Sequence, residues 1–211
     1  MIALKIEVPI ACFRQSQARE YVETYPVPPP STVYGMLLSL AGEMDRYKHC
    51  GVRLAIALLS EPRKSTVVRT FHRYKKQDIH APSNIRPDYQ ELLTDIRFIV
   101  WVNAGTETTC PTLAKRLQQA FMNPASVQRF GGLSLGESRD LINSASLITG
   151  SCGEALRWLV QDEKGLLTLP YWVDHIGSRG TRWLRYELEQ SDLQEPPDFA
   201  WTEIQAAKIN G

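Results

Sequence analysis

The sequence has little cysteine, no long apolar run and almost no net charge, and each shortage removes a class of protein. Cys12, Cys50, Cys110 and Cys152 are scattered without a Cys-x-x-Cys pair, so neither a zinc ligand set nor a dense disulfide framework is expected. The histidines, His49, His72, His80 and His175, lack metal-ligand spacing, and no metal or other cofactor is expected. No segment approaches the roughly 18 consecutive apolar residues that span a bilayer. The N-terminus has no basic stretch followed by an apolar run and a cleavage site. A soluble, cytoplasmic globular protein with no membrane partner is the default expectation. The glycines at 131, 132 and 136 carry no Gly-Lys-Ser or Gly-Lys-Thr and do not open a helix, which argues against a nucleoside triphosphate site.

What charge there is lies unevenly. The total of +1 excludes a uniformly basic nucleic-acid binder, but residues 63–86 hold Arg63, Lys64, Arg69, Arg73, Lys75, Lys76 and Arg86 against Asp78 alone. Residues 187–203 hold Glu187, Glu189, Asp192, Glu195, Asp198 and Glu203 with no Lys or Arg. Phe71, His72, Tyr74 and His80 are interleaved with the cations of the basic stretch. Charge combined with stacking faces is what single-stranded nucleic acid requires.

Alternation of apolar and polar residues predicts strands over 2–10, 52–59 and 96–103, with a long polar excursion over 60–92. Thr66 to His72 within that excursion has β-favouring composition, so two strand extensions or a protruding arm are expected there. Between the first two strands, Pro26, Pro28, Pro29 and Pro30 hold the chain extended ahead of a helix capped by Ser31 or Thr32. Val33, Met36, Leu37, Leu40, Ala41 and Met44 give that helix its apolar face. Its first-turn amides and dipole favour an anion, and Gly35 permits close approach of another backbone. A second helix is predicted over 109–122 and a fourth strand over 141–148. The reading for residues 1–150 is therefore α+β, a split β-α-β core of ferredoxin type with an inserted arm. Residues 151–211 read as a small β-rich extension, with strands near 156–160, 166–173 and 183–188 and a turn at Asp162–Gly165 joining the first two.

Arg129 and Arg139 flank the glycine-rich loop, whose backbone is suited to lie against a chain of phosphates. The helix start PPPSTVYGMLLSLAG, with Ser31, Thr32, Gly35 and Leu38, and the loop RFGGLSLGESRDLI, from Phe130, Gly131 and Gly132 to Arg139, together with the arm, resemble the fifth Cas family (Cas-five) of the RAMP superfamily. That family caps the 5′ handle of the guide RNA (crRNA) in type I CRISPR Cascade complexes, and the short form here is similar to subtype I-B-like members. The resemblance implies a ferredoxin-like core with a β-rich thumb and an RNA-binding subunit present as one copy in a hetero-oligomer. Its implied partners are the crRNA handle, the large subunit, the backbone subunits and target DNA, in defence or transposon targeting. It makes Arg14, Arg19, Tyr25, Ser31 and Tyr34 handle-contact candidates. Arg69, Arg73, Lys75 and Lys76 become thumb candidates, with Gly131, Gly132 and Arg139 framing the pocket.

A subunit without chemistry of its own is the expectation, and a metal-independent endoribonuclease that processes precursor crRNA is the alternative. Such an enzyme needs a base for the 2′-hydroxyl and a cation for the pentacoordinate phosphate. Lys48 with His49, or His72 and His80 with Lys75 and Lys76, supply those groups by type, but no spacing singles out either set. A protein-interaction module that meets an acidic partner through the basic arm is a third reading.

Overall fold

A computed structural model describes residues 1–72, 78, 80–150, 153–176 and 178–206 of the chain. Arg73, Tyr74, Lys75, Lys76 and Cys152 lie outside the described residues. The elements are β1 (Ile2–Ala11), β2 (Tyr21–Val22), α1 (Pro30–Leu40), β3 (Arg53–Leu58), β4 (Arg63–His72), β5 (Ile85–Asn103), α2 (Leu113–Met122), β6 (Ser144–Leu147), β7 (Leu156–Gln161), β8 (Leu167–Trp172), β9 (Arg182–Ser191) and β10 (Trp201–Glu203). All the strands join one sheet, ordered β6-β1-β5-β3-β7-β9-β8, with β10 also on β3 and both β2 and β4 on β5.

The interior strands are apolar on both faces because both are covered. On β3 and β5, Leu54, Ile56, Leu58, Ile96, Phe98, Val100 and Val102 enter the main core, together with Val33 and Leu37 of α1 and Leu113 and Leu117 of α2. Their alternates Ala55, Ala57, Ile99 and Trp101 pack with Leu156, Trp158, Val160 and Ala200 in a second core. Trp101 and Trp158 meet there with ring centroids 4.7 Å apart.

The excursion predicted over 60–92 is a two-stranded arm. Residue pairs run antiparallel from Arg63↔Thr94 to His72↔Ile85, so the N-terminal half of the long strand β5 is arm and its C-terminal half is sheet. At the junction Asp95 takes φ +57. Ser60 Oγ donates to the Asp95 carbonyl at 2.5 Å and accepts from the Arg97 amide at 3.0 Å, which fixes the bend.

Several expected boundaries move. Pro29, not Ser31 or Thr32, is the N-cap of α1, with no side-chain cap. Pro30 at the first helical position has no N–H to satisfy, and the Thr32 and Val33 amides both donate to the Pro29 carbonyl at 2.9 and 3.0 Å. The helix ends in a Schellman motif: the Glu43 amide bonds the Leu38 carbonyl, the Gly42 amide bonds the Ser39 carbonyl, and Gly42 takes φ +64. Met44, expected on the apolar face, lies past that stop and is 94% exposed. The second helix starts at Leu113 instead of 109, because Pro111 disfavours helical geometry before it and Thr112 caps the Lys115 amide. β6 is shorter than 141–148. The Asp162–Gly165 turn forms, but β9 inserts between the strands on either side of it, pairing with both β7 and β8. The C-terminal strands thereby extend the sheet past β3.

Candidate nucleic-acid interface

The first turns of α1 form one wall of a cavity of about 360 Å³, lined also by Arg46, Ser134, Gly136, Trp172 and His175. A second cavity of about 440 Å³ shares Gly35, Leu38 and Ser39 with it and continues to Arg129 and Phe130. The two make a groove across the exposed side of α1. Gly35 stands at its centre: a β-carbon there would meet nothing within 4 Å. No neighbour among the described residues therefore requires that glycine, although it weakens a helix interior.

Arg46 supplies the positive charge of the first cavity. Its guanidinium carbon lies 4.2 Å from the Trp172 ring centroid and 5.8 Å from that of Tyr47, and it donates to the Val173 carbonyl. The cation is thus held in place by an aromatic face and one hydrogen bond, with its remaining donors unspent among the described residues. Ser31 Oγ, on the same wall, is buried with no hydrogen-bond partner among the described residues. On the opposite side, Gly136 takes φ +106, and a β-carbon would sit 2.8 Å from the Cys12 carbonyl oxygen and 2.9 Å from Asp140 Oδ2. Only glycine lets the loop close there. Asp140 Oδ2 accepts from the amides of Cys12 and Glu137, both at 2.9 Å, locking the loop to β1's end. Burial is the largest influence on that carboxyl and raises its pKa, against the opposing pull of the two amides.

The expected site residues fall in different places. Ser31 lines the groove. Tyr34 also borders it but is only 3% exposed, and its hydroxyl donates to the Arg46 carbonyl at 2.7 Å. Burial pushes its pKa far above the ordinary tyrosine range. Its role in the structure is to pin the residue that carries the charge. Gly131 and Gly132 lie on the exposed part of the loop, outside both cavity linings. Arg139 bonds Glu137 and Gln90 Oε1, each at 2.5 Å, so its charge ties the loop to β5. Arg14 and Arg19 are exposed on the segment before β2, and Arg14 donates to the Ala18 carbonyl at 2.9 Å. Tyr25 belongs to a separate cleft on that side. Arg69 lies on β4, 5.8 Å from the Phe71 ring centroid. Arg46, Trp172 and His175 were missed by pattern reading, because they share no periodicity and meet only when β8 packs on α1. Phe130, quoted only as part of the loop, is fully exposed at the groove's far end.

Of the groups considered for catalysis, His49 is completely buried. Its Nδ1 bonds the Glu107 carboxylate and its Nε2 lies 3.3 Å from Arg116 Nη1. Lys48 pairs with Glu43 at 2.7 Å. His72 and His80 are exposed on the arm. Among the described residues, no group of three or more His, Cys, Asp or Glu side chains is placed to hold a metal ion, and no helix is long and apolar enough to cross a membrane.

The family model described as CRISPR-associated protein (Cas_Cas5) matches residues 1–145. This chain belongs to the Cas5 family. A Cas5 relative, "CRISPR-associated protein Cas5" of Myxococcus xanthus (strain DK1622), is 46% identical over 194 residues, which is 90% of this chain and 91% of the relative. The resemblance read from the helix start, the glycine loop and the arm is thus upheld. The fold is similar to that of a chain in a solved structure named "CRISPR RNA-guided surveillance complex", with a TM-score of 0.59 and 16% identity over 90% of each chain. A structure named "Crystal structure of Cas protein" overlaps 90% of this chain and 93% of its own at 16% identity, with a TM-score of 0.49.

Proposed function

We propose that this Cas5 protein is the subunit of a CRISPR RNA-guided surveillance complex that holds the 5′ handle of the guide RNA in the groove over α1, and that it performs no chemistry on it. The observation that carries this reading is the groove itself. Arg46, fixed over Trp172, faces a helix whose central glycine leaves room for a polynucleotide backbone. Cation, hydroxyls and open backbone suit a phosphate chain, and Phe130 at the far end offers a stacking face.

The order β6-β1-β5-β3, antiparallel throughout, has α1 and α2 each linking strands that are not neighbours. That order supports a ferredoxin-like core. The β4–β5 arm is the thumb of this reading, with Arg69 facing a neighbouring backbone subunit, in a subtype I-B-like complex whose large subunit this protein anchors. Burial of His49 supports a non-catalytic role, because its imidazole cannot approach a 2′-hydroxyl, and Lys48 beside it is paired with Glu43.

The decisive experiment binds the assembled complex to guide RNA with and without the 5′ handle. Tighter binding with the handle is expected, and equal affinity overturns the reading. Replacing Arg14 and Arg19 by Ala is expected to flatten the salt dependence as phosphate contacts disappear.

A further inference from the structure

A third cavity, of about 450 Å³, shares no lining residue with the α1 groove. It lies between Tyr25, Gln15, Ser16 and Gln17 on one side and Thr168 and Trp183 on the other. The first wall is braced: the Gln15 amide bonds the Glu23 carbonyl at 2.9 Å, and the Tyr25 amide bonds the Phe13 carbonyl at 2.8 Å. The second wall is sheet, with Trp183 opposite Pro170 and Arg185 opposite Thr168 in the β8–β9 ladder. Trp183 nevertheless remains 41% exposed.

We propose that this cleft takes one unstacked nucleobase of single-stranded RNA, with Trp183 as its stacking face and the side-chain amides of Gln15 and Gln17 reading its edge. This rests on the RNA-binding reading above but adds a site with a different chemistry, base recognition as opposed to backbone grip. The residue types fit a base. An indole half open to solvent beside a phenol supplies stacking surface. Gln15 Nε2 is committed to the Thr24 carbonyl at 3.3 Å, which orients the amide and leaves Oε1 as an acceptor. Gln17 is exposed and has both its donor and its acceptor to offer. The cleft is within the size range of small-ligand pockets. Arg14 adjoins Gln15 in sequence, and Arg19 follows on the same segment, both exposed. Cations are therefore available for the phosphates on either side of the inserted base. Amides, hydroxyls and neighbouring guanidinium groups match a nucleotide better than they match an apolar side chain of a protein partner.

The test uses the full-length protein and two kinds of probe: homopolymeric RNA octamers of adenine, cytosine, guanine and uracil, and an abasic ribose-phosphate octamer. The wild-type protein is expected to bind at least one base-bearing octamer about tenfold tighter than the abasic one, the scale of one base stacked on an aromatic ring. Trp183→Ala is expected to remove most of that difference, Trp183→Phe to keep most of it, and Gln17→Ala to narrow the preference among the four bases. None of these variants should change the salt slope for the abasic octamer, which reports the backbone contacts alone. If Trp183→Ala keeps the full base-dependent difference, the cleft is not a base site, while the α1 groove stands. Failure of the wild-type protein to prefer any base-bearing octamer over the abasic one overturns the base site, while the handle reading stands or falls on the assembled complex and its handle-bearing guide. Thermal melting of each variant shows that the fold is intact, as expected for substitutions at exposed positions.

Discussion

The guanidinium carbon of Arg46 lies 4.2 Å from the centroid of Trp172, joining a residue from the loop after α1 to one on β8. The contact positions a charge that is otherwise free to swing on a flexible stem. Arg46→Ala is expected to weaken binding of handle RNA several-fold and to reduce the magnitude of the salt slope by about one, the signature of a lost phosphate contact. Arg46→Lys keeps the charge but not the plane that stacks on the indole, so it should restore only part of the affinity. Unchanged affinity and slope in Arg46→Ala would remove Arg46 from the RNA path. Filter binding across a range of salt concentrations reads both quantities.

Gly35 separates stability from function, because the two move in opposite directions on substitution. An alanine β-carbon meets nothing within 4 Å among the described residues. Gly35→Ala should therefore stabilise the free protein by about 1 kcal/mol, the difference in helix propensity. In a protein of this size that amounts to roughly 2–4 °C in Tm. The same methyl group enters the groove and should lower RNA affinity. A variant that melts higher and binds equally well would show that the backbone does not pass over Gly35.

The buried pair of His49 and Glu107 yields a test of the endoribonuclease alternative. Both side chains are fully buried, and Glu107 Oε1 also accepts from the Leu113 amide at 2.9 Å, so the pair holds the start of α2. His49→Ala removes a buried hydrogen-bond partner of Glu107 and should destabilise the fold by about 1–3 kcal/mol. Loss of any activity in that variant would therefore be confounded with loss of stability. The cleaner experiment incubates the wild-type protein with repeat-containing RNA in EDTA, where intact RNA is expected and discrete cleavage products would overturn the non-catalytic reading.

How far these features could be read in advance depends on how local their causes are. Strands β1, β3 and β5 were visible because each alternates along its own length, and the β4–β5 arm because its composition is β-favouring over a polar gap too long for a turn. The order β7-β9-β8 was not visible. Pairing between strands separated in sequence leaves no periodic signal, and the local turn at Asp162–Gly165 pointed to a hairpin that β9 interrupts. Ser31 was correctly assigned to the helix start but to the wrong role. Proline can be a helix N-cap without donating or accepting through its side chain, so the nearest hydroxyl drew the assignment. The groove was half visible. Gly35 and the glycine loop announce themselves by composition, whereas Arg46 and Trp172 look like any surface cation and any buried indole until the fold brings them together.

Acid should loosen the C-terminal end of α1, which meets the second cavity through Gly42 and Glu43. Burial works against ionisation of Glu43, but Lys48 Nζ, the Asp45 amide and Arg116 outweigh it and hold the carboxyl at about 2, below the ordinary value of 4.5. Because the folded state binds the proton less readily than the unfolded chain, this carboxylate stabilises the fold above about pH 4.5. That contribution fades as pH falls from there toward 2. Its size is on the order of 1 kcal/mol once solvent screening is allowed for. Arg116 also donates to the Ala41 carbonyl at 3.0 Å, so protonation of Glu43 weakens one of the two links from α2 to the end of α1 and leaves the other. Glu91, paired with Lys64 at 2.8 Å, is depressed as well and would blur a simple acid titration. The difference in denaturant midpoint between the wild-type protein and Glu43→Gln isolates the Glu43 part. That difference should be constant from pH 7 to about 5 and shrink between about 4.5 and 2; a gap that stays constant across the acid range would show that Glu43 is not held ionised by Lys48 and Arg116.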